Sequence, residues 1–123
     1  MRIKASLEDR YVPKFAGNQD LPPDEQIVVT LNRPTAEQRE GLKGYGMEPG
    51  SGRVQITFAT GKILRNHVKE ITNLEDEIDG KTYVIRTGAD LAESKNPKLT
   101  RLVDELKAEI TRDYSLDEEE EKN

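Results

Sequence analysis

Few groups in this chain can attack a substrate, shuttle a proton or hold a soft metal. There is one histidine, His67, no cysteine and no tryptophan. A catalytic imidazole needs an orienting acid and a nucleophile beside it, and the sequence offers His67 neither. It stands among apolar positions, with Ile63 and Ile71 a turn away on either side, so the expected role is a packed or surface imidazole. Carboxylates at Glu75, Glu77 and Asp79, followed by Gly80, imitate the first half of a calcium-binding loop. Such a loop requires a bidentate Glu at its twelfth position. That position is Arg86 here, whose cation opposes calcium, so the run reads as an acidic hairpin tip and no bound metal is expected. Gly44-Tyr45-Gly46 opens a dinucleotide pattern, but Pro49 occupies the third glycine position and the segment precedes a strand instead of following one. Gly61-Lys62 resembles the end of a phosphate loop whose upstream glycine position is Ile56. With no catalytic set, no cofactor motif and no metal cluster, the chain is expected not to be an enzyme.

What remains is surface charge. Lys62, Arg65 and Lys69 fall on one side of an expected helix and are the candidate partner-binding residues, although such a stripe is more often the solvated side of an amphipathic helix. The net charge is −5, and the last seven residues hold five carboxylates and one Lys, which leaves −1 for residues 1–116. The run Asp117-Glu118-Glu119-Glu120-Glu121 reads as a docking peptide for a basic partner, a mimic of nucleic acid or a solubilising end. Like-charge runs of this kind are expected to be disordered. Removal of residues 116–123 is therefore expected to leave the melting temperature nearly unchanged, and a drop of several degrees would show that the tail packs on the body. The body lacks the basic excess of nucleic-acid binders. No apolar run approaches the roughly 20 residues of a membrane span, and Met1-Arg2-Ile3-Lys4-Ala5-Ser6 lacks the apolar core of a signal peptide. The absence of cysteine fits a reducing cytoplasm. Neither nucleic acid nor membrane is an expected partner.

The elements that must position these residues come from 123 residues, enough for one domain. Charged residues make up 35% of the chain, above the usual ~25%, which implies a thin core and a well-solvated surface. An α+β fold is expected over residues 1–114, with a small, mainly antiparallel sheet packed by two to four helices and a disordered acidic tail over 115–123. Tyr11–Phe15 suggests a short edge piece. Ile27-Val28-Val29-Thr30-Leu31 predicts a strand over 26–32. Thr35 and Gln38 make a capping box for a short helix ending near Gly41 or Gly44 in a left-handed glycine. A glycine-rich loop follows over 44–52, then an alternating strand over 53–58 with Val54, Ile56 and Phe58 on one side. From Thr60 the period becomes helical, with Ile63, Leu64, His67, Val68 and Ile71 on one stripe. Asp79-Gly80 marks a turn between Glu75–Ile78 and a strand over 81–86. Thr87–Leu91 leads into a short helical segment. Asn96 and Pro97 open a final helix to about Asp113, with Leu99, Leu102, Val103, Leu106 and Ile110 as its apolar stripe. The strands over 26–32, 53–58 and 81–86 are expected to share one sheet.

Two stretches carry a resemblance. The first runs from Tyr11-Val12-Pro13-Lys14-Phe15-Ala16-Gly17-Asn18 through Leu21-Pro22-Pro23-Asp24-Glu25-Gln26-Ile27 to Arg33-Pro34-Thr35-Ala36-Glu37-Gln38-Arg39. The second is Ile71-Thr72-Asn73-Leu74-Glu75, then Gly80-Lys81 and Ile85-Arg86-Thr87-Gly88-Ala89-Asp90-Leu91. Together they resemble small tail-morphogenesis proteins of tailed phages and prophages, often grouped with tail assembly chaperones. The resemblance implies a non-enzymatic assembly factor in the bacterial host cytoplasm, with a tail structural protein such as the tape measure as its protein partner. The better-known members are largely helical, whereas this chain predicts strands, so a minor virion or head–tail connector component stays open. So does a stand-alone adaptor that works through the acidic tail.

Overall fold

The β-branched run after Gln26 sits at the centre of a small sheet in the computed structural model, which describes residues 1–4, 6, 8–47, 50 and 54–112, with backbone only over 43–47 and 54–58. Strand β1 (Glu8–Tyr11) pairs antiparallel with β2 (Val28–Asn32). After β2 come helix α1 (Ala36–Gly41), strands β3 (Lys43–Met47) and β4 (Val54–Phe58), helix α2 (Thr60–His67) and strand β5 (Val68–Thr72). The chain continues as strands β6 (Glu75–Ile78) and β7 (Lys81–Val84) and helices α3 (Gly88–Glu93) and α4 (Thr100–Ile110). The fold is mixed α+β, and every strand pairing is antiparallel. The strands do not share one sheet as expected. They divide into a three-stranded sheet in the order β1-β2-β5 and two hairpins, β3-β4 and β6-β7.

One finding corrects the helical reading from Thr60 onward. Ile63, Leu64 and His67 are buried on α2, but the helix stops at His67 and Val68–Thr72 is a strand. Val29 faces Ile71 and Leu31 faces Val68, so the register slips by one residue and Lys69 is the extra residue of a β-bulge. In a regular strand, positions three apart point to opposite faces. The bulge returns Val68 and Ile71 to one face, and both are buried there while Lys69 and Glu70 are exposed. A bulged strand thus imitates the three-residue spacing of a helix.

The other local signals divide. Thr35 Oγ1 accepts from Gln38 N and the Gln38 side chain accepts from Thr35 N, the expected capping box. The helix ends at Gly41 but the following Leu42 is right-handed, so no left-handed glycine is used. Gly44–Met47, expected as the start of a loop over 44–52, pairs with β4 as part of β3, because glycine supplies the same backbone hydrogen-bonding groups as any other residue. The expected one-sided pattern of Val54, Ile56 and Phe58 lies outside the described side chains, and the expected disordered tail lies outside the described residues. Asn96 caps through its side chain and Pro97 takes the first position. The first turn, Pro97–Leu99, is tighter than α, and the α-helix runs only from Thr100 to Ile110.

Val29 and Leu31 from β2 meet Ile63 and Leu64 from α2 and Leu102, Leu106 and Ile110 from α4 in one core. Leu106 is fully buried, so its apolar stripe is core and not an open docking face. Leu106→Ala is expected to cost about 2–5 kcal/mol, the loss of transfer energy plus the cavity left behind. A urea unfolding curve checks this, and a loss below ~1 kcal/mol would contradict the packing.

The polar side of α4 ties down the N-terminal edge. Glu105 accepts from the Tyr11 hydroxyl at 2.6 Å, from Lys14 N at 2.7 Å and from Phe15 N at 3.0 Å. Arg33 bridges Asp9 and Glu109, each at 3.0 Å. Burial first, then the hydrogen bond to Glu105 and the charges of Glu105 and Glu109, push the Tyr11 phenol well above its ordinary pKa. An unfolded tyrosine titrates near 10. A raised folded value gives stability that is present below that pH and lost as pH rises above it. Stability is therefore expected to fall above pH ~10. Tyr11→Phe should flatten part of that fall while costing about 1 kcal/mol at neutral pH, as read from urea midpoints across pH.

Candidate protein-binding groove

The second hairpin and α3 enclose a concavity of about 550 Å³. Its geometry begins at Asp79-Gly80, where both residues have positive φ, 52° and 80°. A two-residue hairpin loop with both central residues left-handed matches the twist of its strands. This is the expected turn, with Glu75 facing Val84 and Ile78 facing Lys81. The hairpin hangs on the main sheet by its base. Ile85 N donates to Leu74 O at 3.0 Å, and Ile71 N donates to Arg86 O at 2.8 Å. Residues 85 and 86 thus continue the pairing expected over 81–86, although the strand itself ends at Val84.

The opposite wall is α3. Thr87 Oγ1 accepts from Asp90 N at 3.1 Å, and the Asp90 carboxylate accepts from Arg86 N at 3.0 Å and Thr87 N at 3.3 Å. This second capping box was not read from the sequence, although Thr87 and Asp90 have its spacing. The two walls are joined by Asp76. It is buried, and accepts from Ser94 Oγ and Asn96 Nδ2, both at 2.6 Å. Asp76, which lies between the carboxylates of the expected acidic tip, is therefore a tie between β6 and the start of the last helix. Its neighbours Glu75, Glu77 and Asp79 are exposed.

Tyr83 and Val84 stand half exposed on β7, and Ile78 and Ile85 supply further apolar lining. Asp79, Asp90, Glu93, Lys81 and Lys95 add charge around them. The Ser94 hydroxyl in this groove is held by the Asp76 carboxylate as part of that tie, and among the described residues no group of three His, Asp or Glu is arranged to hold a metal ion. His67 lies elsewhere. Its Nδ1 donates to the Asn32 carbonyl at 2.9 Å within the core edge, the packed role expected of it.

The basic set does not form one helix face. Lys62 is exposed on α2, Arg65 on α2 pairs with Glu93 at 3.6 Å, and Lys69 sits on β5 and bonds Glu8 at 2.9 Å. The Glu8 hydrogen bond, then its charge, raises the Lys69 pKa. Both groups are solvent-exposed, so the pair adds little to stability.

Among the described residues, no helix is long and apolar enough to cross a membrane. No family model, curated protein or solved structure matches the chain. The groove's contents, an exposed aromatic and a β-branched side chain on an edge strand with mixed charge at the rim, suit binding of an extended polypeptide.

Proposed function

We propose that this chain is a non-enzymatic assembly factor of a phage or prophage tail, chaperone-like, working in the host cytoplasm and binding a tail protein such as the tape measure through the groove between the β6-β7 hairpin and α3. The observation that carries the binding mode is the exposure of Tyr83 and Val84 in succession on β7, a strand that among the described residues is paired on one side only. An open strand edge offers main-chain hydrogen bonds, and neighbouring apolar side chains give selectivity. The resemblance over residues 11–39 and 71–91 supports the tail-assembly role. The partner is a protein and not nucleic acid, because carboxylates at the rim repel phosphates.

The test is co-expression with the tail proteins encoded beside this chain, followed by purification of the complex. Binding is expected to be lost in Tyr83→Asp and retained in Lys62→Glu. Loss on deletion of residues 116–123, with Tyr83→Asp still binding, would favour the adaptor reading. Failure of every tail protein to co-purify with the unaltered chain would overturn the assembly role.

A further inference from the structure

Large hydrophobic side chains exposed among the described residues are Met1, Ile3, Leu21, Tyr83 and Val84. Four of the five fall in two places: the segment before β1 and the groove. We propose that these two places are complementary, and that the N-terminal segment of one copy of this chain docks in the β6-β7/α3 groove of a second copy. The proposal rests on the groove being a protein-binding surface, as above, and names one occupant.

The sequence of the segment suits an added strand. Met1, Ile3, Ala5 and Leu7 alternate with Arg2, Lys4 and Ser6. In an extended conformation, successive side chains point to opposite sides, so one side is apolar and the other basic. Met1 and Ile3 are 115% and 77% exposed. The described pairing of β1 with β2 runs from Glu8 opposite Asn32 to Tyr11 opposite Val29.

The groove offers what this segment lacks. Tyr83 and Val84 are 49% and 48% exposed on a strand whose second edge has no partner strand among the described residues. Asp79 and Asp90 stand at the rim, with Glu93 shared with Arg65. With Asp76 the lining holds four carboxylates against Lys81, Lys95 and the Arg65 paired to Glu93, a small acidic excess that complements Arg2 and Lys4. Within one chain the two places stand at opposite edges of the main sheet. The segment enters β1 at one edge, and the hairpin hangs on β5 at the other, with β2 between them. A second copy brings them together directly. Each copy then carries one donor and one acceptor, so the contact is head to tail, closing by reciprocal exchange into a two-fold dimer or a larger ring, or building open chains. The segment and a tail-protein partner compete for the same site.

Sedimentation velocity of the full chain over a range of concentrations reads the self-association, which salt should weaken. Ile3→Asp removes the donor and Tyr83→Asp the acceptor, and each variant alone is expected to stay monomeric. Mixed together they are expected to form a one-to-one dimer and nothing larger, because one intact segment and one intact groove remain. A fluorescent peptide of residues 1–7 is expected to bind the Ile3→Asp chain and not the Tyr83→Asp chain, and melting curves confirm that both are folded. An unaltered chain that is monomeric at every concentration, or a mixture that stays monomeric, overturns the proposal. If that happens while Tyr83→Asp still abolishes tail-protein binding, the self-association alone is wrong. If the mixture dimerises while Tyr83→Asp leaves tail-protein binding intact, the proposed partner site is wrong and the head-to-tail contact stands.

Discussion

Gly88→Ala is expected to be the most damaging single-methyl change in the described part of this protein, costing at least about 3 kcal/mol. A Cβ at position 88 would stand 1.8 Å from Leu64 O and 2.7 Å from both Leu64 C and Val68 O. All three are backbone atoms, so no side chain can swing aside. Gly88 opens α3 directly against the end of α2, where α2 passes into β5. To admit a methyl group, α3 would have to lift from α2. That movement would strip cover from Leu64 and Leu91, both buried, and loosen the groove wall. The expected observation is a large fall in the urea midpoint at 25 °C, with loss of any groove ligand. The matched control is Gly61→Ala. There the nearest atom is Arg65 Nη1 at 2.9 Å, the far end of a flexible side chain, and the change should be nearly silent. A Gly88→Ala chain within ~1 kcal/mol of the parent would refute the close approach.

Asn18→Leu is expected to cost about 3–6 kcal/mol, because it strands one buried and two part-buried main-chain groups at ~1–3 kcal/mol each, with the part-buried pair at the low end. Asn18 is 2% exposed. Its Nδ2 donates to Pro13 O at 2.9 Å and Ile27 O at 3.0 Å, while its Oδ1 accepts from Ile27 N at 2.6 Å. The side chain therefore pairs with a loop on one side and the approach to β2 on the other, as a strand would. It is turned inward by Ala16 and Gly17, both left-handed at φ 51° and 73°. Leucine fills a similar volume, leaving little room for a water to replace the lost bonds. The change is read as a fall in melting temperature and as faster hydrogen exchange at the Ile27 amide. Unchanged exchange at Ile27 would show that the amide finds another partner.

Features that need only a few neighbouring residues were legible in the sequence. Thr35 and Gln38 cap α1, Asn96 and Pro97 open the last helix, and Asp79-Gly80 closes the β6-β7 hairpin, because in each case the decisive atoms lie within four residues. The same holds for the α+β class and for the buried stripe of Leu102, Leu106 and Ile110. The periodicity of a single helix already states which side is apolar. The second box, Thr87 with Asp90, had the same local signature and was open to the same reading.

Tertiary structure decided the rest wherever the deciding partner is remote. Val68 and Ile71 keep helical spacing, and only pairing with β2, with Lys69 bulged out, makes them strand. Lys43–Met47 is strand because β4 accepts it, which glycine content cannot show. Asp76 differs in sequence from neither Glu75 nor Glu77 in charge, but Ser94 and Asn96 reach it from 18 and 20 residues away. The basic trio separates because Glu8 and Glu93 claim two of its members. The groove is likewise a property of assembly. Tyr83 and Val84 read as ordinary strand residues until α3 is placed beside them and, among the described residues, no third strand covers their edge. Sequence fixes what a segment can do with its own neighbours, whereas burial, register and open edges depend on which distant segment arrives.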